Sequence, residues 1–467
     1  MHIVTTDNNC GNYVVDDPQA IQDLRNIADC RIDSLVDKNR NDVWLFPSRE
    51  DNNDDKIDDE LIISLTDDGH LTTGNIMGFI GYGDTELTIR SRFSKKAEND
   101  WFMQYMLQKV FAINIFDLKH RLGEDSALDI AALLFPYFLQ KAVLQGIYRE
   151  YSRCEHNDSR VRGAIDISAH IRNNYPFRNG KIAYTTREYN YDNSVTQLIR
   201  HTIEFLRGRS ASKGILYSTP ETQGYIKQII QATPSYNRGD LKKVMLANYR
   251  PKIHPYYSEY RPLQKLCLQI LRREKLGYGE SSANRIHGVL FDGAWLWEEY
   301  LNLTLTKAGF THPKNKTGEG AIFPFIDRPN KYKRFPDFIR KSVIADAKYK
   351  RLSDPKDSRH FNDIIQREDL SQMISYIHIT SSKTGIFICP SELLVMNDDG
   401  GYYPDTEFVI RQEELFVYKV GDLAGDGGRI LILGINIPQA LSSYQDFAAA
   451  MSIAETGLLN TLQHGLG

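Results

Sequence analysis

The chain has 467 residues, 41% hydrophobic and 25% charged, which are the proportions of an ordinary globular protein too long for one small core. A formal net charge of −3 excludes a whole-molecule field that attracts DNA, so any nucleic-acid contact must come from local basic surface or from a partner. The five cysteines, Cys10, Cys30, Cys154, Cys267 and Cys389, form no CxxC pair and have no His cluster at zinc spacing, which argues for reduced, mostly buried thiols.

The first hundred residues read as β-rich. Met1-His2-Ile3-Val4 has neither the basic start nor the apolar length of a signal peptide, so a cytoplasmic location is expected. The acidic stretch 49–60 has no periodicity and reads as a solvated loop. Leu87, Ile89 and Phe93 then alternate as in a half-buried strand within 78–93. From Trp101 the period turns helical, with a helix expected over 127–151, interrupted or kinked by Pro136. Its apolar part, 131–139, is far shorter than the roughly 18 residues a membrane span needs, and no membrane association is expected. Further helices are expected at 195–206, 222–233 and 263–273, and the Pro- and Tyr-rich run 249–262 reads as a connector. Beyond it, helices at 295–307 and 369–379 alternate with strands at 335–339, 343–349, 384–389 and 430–435, and a helical tail follows Pro438. The expected organisation is therefore a multidomain α+β chain: a β-rich region over 1–100, a mainly α region over 101–255, and an α/β domain with a central mixed sheet flanked by helices over 256–467.

The chemistry is concentrated in Arg334-Phe335-Pro336-Asp337 and the following Ala345-Asp346-Ala347-Lys348-Tyr349-Lys350. Read as two strands joined by a tight turn, the segment puts Asp346 and Lys348 on one face and Ala345, Ala347 and Tyr349 on the other. With Asp337 facing them, two carboxylates and an amine converge. Phosphodiester hydrolysis asks for such a set: hard oxygen ligands for Mg²⁺, and a cation to orient water and offset charge on the phosphorane. The same residues also suit a surface hairpin with an ordinary ion pair.

The PD-x8-DAK spacing resembles the signature of PD-(D/E)XK nucleases. That resemblance implies metal ligation by Asp337 and Asp346, with Mg²⁺ or Mn²⁺ as cofactor, and a catalytic role for Lys348. It also implies a third acidic ligand from a preceding helix, assigned to Glu298 in Leu296-Trp297-Glu298-Glu299-Tyr300-Leu301, and an active-site helix carrying Gln372 and Tyr376, which are four apart and share a face. Lys333, Arg334, Lys350 and Arg351 lie near this site in sequence and suit contact with DNA phosphates; Lys331, Arg340 and Lys341 extend the cluster.

In this order LWEEY, FPDF, IADAKYK and DLSQMISY resemble the C-terminal half of the McrC family, the nuclease subunits of modified-cytosine restriction systems, and its LlaJI-type relatives, over roughly residues 285–390. Upstream, Ile89-Arg90-Ser91-Arg92-Phe93 and Arg160-Val161-Arg162-Gly163-Ala164-Ile165 are similar to strands of that family. The resemblance implies an endonuclease subunit that cuts double-stranded DNA when docked on an AAA+ GTPase hexamer of the McrB type, which it also stimulates; Arg90, Arg92, Arg160 and Arg162 are the candidate partner contacts. Arg160 and Arg162 equally suit phosphate binding or a solvated strand face. No GxxxxGK[ST] occurs, so no P-loop nucleotide is expected on this chain. A non-catalytic activator of the motor and a stand-alone repair nuclease are the alternatives.

Overall fold

Alternating apolar residues write the first strands, and the element order follows from there. The computed structural model describes residues 1–11, 13–38, 43–47, 61–83, 85–94, 100–111, 126–177, 179–209, 215–217, 219–275, 286–313, 320–328, 332–351, 365–392, 408–412, 414–424, 427–439 and 441–464. The elements begin with β1 (His2–Thr6), β2 (Tyr13–Val14), α1 (Pro18–Leu24), α2 (Ile32–Lys38), β3 (Val43–Phe46), β4 (Ile63–Leu65), β5 (His70–Thr73), β6 (Ile76–Tyr82), β7 (Thr85–Arg90) and α3 (Trp101–Phe111). There follow α4 (Ser126–Leu144), β8 (Glu150–Asp158), β9 (Ala164–Ile165), α5 (Ile167–Asn174), β10 (Ile182–Asn190), α6 (Ser194–Gly208), α7 (Pro220–Ala232), α8 (Leu241–Ala247) and α9 (Tyr260–Lys275). The last are β11 (His287–Asp292), α10 (Gly293–Leu305), β12 (Phe338–Arg340), β13 (Val343–Ala347), α11 (Arg367–Thr380), β14 (Thr384–Ser391), β15 (Phe408–Arg411), β16 (Leu415–Asp422), β17 (Arg429–Asn436) and α12 (Tyr444–His464).

The chain divides into two compact units. Met1–Ala112 and Ser282–Gly467 together form the first, and Ile113–Ser281 the second. This division differs from the three consecutive regions expected. The physical reason is β11, which pairs with β6 on one side and β3 on the other and so binds the final third of the chain into the N-terminal sheet.

In the first unit, the N-terminal sheet has the order β1-β7-β6-β11-β3, and a small antiparallel sheet has the order β2-β5-β4. Ile3, Leu24, Ile27, Ile80, Leu87, Ile89 and Leu290 share one apolar core beneath them. A second, mixed sheet has the order β12-β13-β14-β17-β16-β15, with β13, β14 and β17 parallel and the outer pairs antiparallel. Its parallel centre is apolar on both faces, as such strands must be: β14 is buried at every position. Helix α11 covers one side, with Met373, Tyr376 and Ile377 packed on Ile344, Phe387 and Ile432. Close packing is possible because Gly385 has no side chain; a Cβ there would stand 2.7 Å from Met373 Sδ.

The second unit is not purely helical. Helix α9 packs on α4 and α6, while β8, β10 and β9 form an antiparallel sheet. Helix α4 continues through Pro136 and ends at Leu144, short of the expected 151, because the chain turns into β8 from Glu150. The run 249–262 is not a connector between domains: Tyr257 and Tyr260 are buried, and their rings lie 5.1 Å and 5.3 Å from that of Tyr148. Tyr260 Oη also donates to Gly146 O at 2.8 Å, fastening this run inside the unit. The acidic stretch 49–60 and Lys331 lie outside the described residues. No helix among the described residues is long and apolar enough to cross a membrane.

Candidate active site

Strands β12 and β13 form a tight hairpin in which Phe338 opposite Ala345 is the last registered pair; Asp337 and Asp346 are the next residues outward on the two sides. The Ala347 N–H donates to Asp337 Oδ2 at 2.7 Å, which fixes the first carboxylate against the second strand. Side chains alternate as the strand requires: Asp346 and Lys348 share a face, while Ala345 and Tyr349 turn into the interior. Asp346 is only 3% exposed. Its Oδ2 lies 2.8 Å from Lys348 Nζ, a charge contact that falls short of an aligned hydrogen bond.

The strand is anchored from behind. Lys348 N–H donates to Ile388 O at 2.9 Å, and the same carbonyl accepts from Trp297 Nε1 of α10 at 3.2 Å. Tyr349 is buried, with its Oη 2.7 Å from Ser91 Oγ and its ring 5.1 Å from that of Phe93. At Gly293, where α10 begins, a Cβ would stand 2.7 Å from the Tyr349 ring, so glycine is what lets the tyrosine fit.

Helix α11 brings Gln372 and Tyr376 to the same region, and Gln372 Nε2 donates to Tyr376 Oη at 2.5 Å. Tyr376 Oη in turn faces Phe335 O at 3.5 Å, just before Asp337. Met373, Tyr376 and Ile377 are the buried face of this helix, and Ile374 is 40% exposed. The sequence reading missed Asp369, in the first turn of α11. Its Oδ1 lies 3.2 Å from Lys348 Nζ and its Oδ2 2.6 Å from Lys350 Nζ. A signal was available, because Asp369, Gln372 and Tyr376 at i, i+3 and i+7 share a helix face.

Glu298 is half-buried on α10, and its Oε1 lies 3.7 Å from His312 Nε2. His312 Nδ1 is 2.7 Å from the Asp337 carbonyl oxygen; a carbonyl only accepts, so Nδ1 carries the proton. Glu298 thus lies near His312, which in turn meets the main chain of Asp337 and not its carboxylate. Among the described residues no group of three or more His, Cys, Asp or Glu is gathered closely enough to hold a metal ion, so Asp337, Asp346 and Glu298 do not make one three-carboxylate cluster.

Burial and opposite charge compete at Asp346, Lys348 and Asp369. Burial pushes the Asp346 carboxyl above its ordinary range, partly offset by Lys348. Burial alone would lower Lys348, yet Asp346, Asp369 and Asp337 outweigh it and hold the ammonium well above its ordinary range. Asp369 is held below the ordinary carboxylate value despite burial, by Lys350 and Lys348. Burial, with Asp346 and Asp337 nearby, pushes the Tyr376 phenol up to about 12. Two carboxylates, Asp337 and the buried Asp346, are what a hard divalent cation would find here. Mg²⁺ is commonly held by one or two carboxylates together with water and substrate phosphates, and such a cation would have to displace the Lys348 ammonium from the buried Asp346 oxygen.

The basic residues fall into different environments. Lys333 and Arg334 are exposed beside the hairpin. Lys350 is half-buried and engaged by Asp369 and Gln366. Arg351 donates to the Arg92 carbonyl. Arg340 is a structural clamp, donating to Ala308 O at 3.1 Å and Leu462 O at 2.6 Å.

Of the expected partner contacts, Arg92 is corrected. It is 4% exposed and paired with Asp7 at 2.5 Å, in the interior rather than at the surface. Arg90 is half-buried at the end of β7. Arg160 and Arg162 are exposed but are not on a strand; they lie in the turn between β8 and β9, with Arg162 Nη2 3.7 Å from Asp158 Oδ2.

Comparison with known proteins gives the following. A chain of the refined half-complex from the tetradecameric assembly of Thermococcus gammatolerans McrB AAA+ hexamers with bound McrC is similar, with 17% identity and a TM-score of 0.46, covering 97% of this chain and 99% of that one. A chain of the T. gammatolerans McrBC complex is similar at 16% identity and a TM-score of 0.32, covering 66% of this chain and 88% of that one. No curated protein matches the sequence. The family described as McrBC 5-methylcytosine restriction system component matches residues 71–390, more than half of the chain. This chain belongs to that McrBC family.

Proposed function

We propose that this component of a McrBC-type restriction system is its DNA-cleaving subunit, an endonuclease of PD-(D/E)XK type that works with an AAA+ GTPase hexamer, stimulates it, and depends on Mg²⁺ or on Mn²⁺ in its place. One observation carries the reading: Asp337, whose carboxylate accepts from the Ala347 N–H, stands against the strand segment that carries the buried Asp346, with Lys348 in contact with Asp346. Two carboxylates side by side oppose joint ionisation unless a cation is shared; Lys348 is one such cation, and a divalent ion would be a stronger one.

In this reading Asp337 and Asp346 hold the metal. When bound, it supplies Lewis-acid polarisation of the phosphate and a water of lowered pKa. The chain's own part is to place the charges. Lys348 offsets charge that develops on the phosphorane, and its ammonium orients the attacking water. Gln372 and Tyr376 present a hydrogen-bonding edge beside Asp337. Exposed Lys333 and Arg334 attract backbone phosphates without reading sequence, so target choice falls to the partner.

The test is cleavage of plasmid DNA, methylated and unmethylated, with Mg²⁺, GTP and a McrB-type partner, comparing wild type with Asp346→Ala. Cutting by wild type alone is the expected result. Full cutting by Asp346→Ala overturns the site assignment. If neither cuts while the partner's GTP hydrolysis still rises, the chain is an activator and not a nuclease.

A further inference from the structure

Lys348 does not belong to Asp346 alone. Its Nζ lies 2.8 Å from Asp346 Oδ2 and 3.2 Å from Asp369 Oδ1. The other oxygen of Asp369 takes Lys350 Nζ at 2.6 Å, and Lys350 also donates to Gln366 Oε1 at 3.2 Å. The Asp369 side chain is 14% exposed and sits in the first turn of α11, where the helix dipole favours a carboxylate. It is therefore a fixed acceptor placed beside the lysine by a helix that packs directly on the sheet through Gly385.

An ammonium at contact distance on Asp346 opposes a divalent cation on the same carboxylate, because both are positive and the site is sheltered from water. A metal can be held there only if the ammonium is drawn aside, yet a useful lysine has to stay at the site. Asp369 offers the place. Lys350, on its second oxygen, keeps Asp369 from competing for the metal itself.

We infer that Asp369 is a positioning residue: it shares the Lys348 ammonium, so that Asp346 can take a divalent cation while the lysine remains beside it. The inference rests on the reading of Asp337 and Asp346 as metal ligands.

The experiment is a thermodynamic cycle on the full chain without DNA. Mn²⁺ binding is measured by titration calorimetry and by the free-ion paramagnetic signal, for wild type, Asp369→Asn, Lys348→Met and the double variant. With Asp369 neutralised, Lys348 has no second carboxylate to move to and stays on Asp346, and Mn²⁺ affinity is expected to fall roughly tenfold or more, as when other outer partners of metal sites are lost. In the Lys348→Met background the ammonium in contact with Asp346 is gone, so Asp369→Asn is expected to change affinity less than about twofold. Asp369→Glu keeps a carboxylate and is expected to recover most of the loss.

Equal losses in both backgrounds, or no loss in either, overturn the inference. Those results leave the nuclease reading standing as long as wild-type Mn²⁺ binding depends on Asp346. Wild-type protein that binds no Mn²⁺, or whose binding survives Asp346→Ala, overturns both.

Discussion

Arg92→Met is expected to destabilise the first unit by about 3–5 kcal/mol, the usual cost of leaving half of a buried ion pair behind. The structure places this pair at the severe end. The side chains of Arg92 and Asp7 are 5% and 0% exposed. Arg92 Nε and Nη2 donate to Asp7 Oδ2 at 2.8 Å and 2.5 Å, and Nη2 also reaches Asn75 Oδ1 at 2.6 Å. Methionine fills much of the volume but leaves the carboxylate without its guanidinium, too deep for water to replace it. With a urea dependence of about 3 kcal/mol per molar for a large unit, the midpoint is expected to fall by about 1–2 M. Tryptophan fluorescence reports this unit by itself, because Trp44, Trp101, Trp295 and Trp297, all four in the chain, lie within it. Adding Asp7→Leu removes the stranded charge, and the double variant is expected to regain most of the loss. A wild-type midpoint for Arg92→Met, or a double variant no better than the single, refutes the argument.

Three further outcomes follow from the packing around the site. Tyr349→Phe loses the 2.7 Å contact with Ser91 Oγ and is expected to cost about 1 kcal/mol, whereas Tyr349→Ala empties the space between Phe93 and Gly293 and is expected to cost about 3–5 kcal/mol, both read by urea unfolding. Gly385→Ala drives a methyl to within 2.7 Å of Met373 Sδ and 2.8 Å of Ile377 Cδ1; it is expected to cost about 1–3 kcal/mol, with cleavage lost and then partly restored by adding Met373→Ala. The third concerns acid. The Asp369 carboxyl is held below its ordinary 3.8, so its ionised form stabilises the fold above that value, and the contribution is lost as pH falls through the lowered folded value. The gap in urea midpoint between wild type and Asp369→Asn is therefore expected to narrow below about pH 4; a gap that widens there contradicts the assigned direction.

Local pattern made part of this molecule legible and long-range pairing hid the rest. The strand expected at 343–349 forms as Val343–Ala347, and the helix expected at 369–379 forms as Arg367–Thr380, because alternation in one and a repeating apolar face in the other are properties of a few neighbouring residues. Strand β11 was missed. Its six residues, HGVLFD, take their meaning from β6 and β3, some two hundred positions earlier. Strand β10 was missed for a different reason: its sequence, IAYTTREYN, is half-exposed along its length and carries little apolar alternation.

The same contrast holds at the site. Asp337, Asp346 and Lys348 sit within twelve residues of one another, so a hairpin was enough to bring them together. Asp369 is hard to single out because an acid in the first turn of a helix reads as ordinary capping, and its lysines come from the segment just after β13, about twenty residues back. Arg92 read as a surface charge for want of Asp7, its partner 85 positions away. Glu298 was chosen from the carboxylates of its helix without the sequence showing that His312 would stand between it and Asp337.

The placement of β11 also sets a clock on biosynthesis. Strand β3 has β11 as its neighbour in the sheet, and β6 needs β11 on its outer edge, yet some 240 residues separate Phe46 from the end of β11. At about 5–20 residues per second, the ribosome takes roughly 10–50 s to deliver the missing strand. Through that interval the edges of β3 and β6 wait unpaired while the second unit emerges whole, so a nascent chain stalled before residue 287 would present open strand edges of the kind chaperones shield.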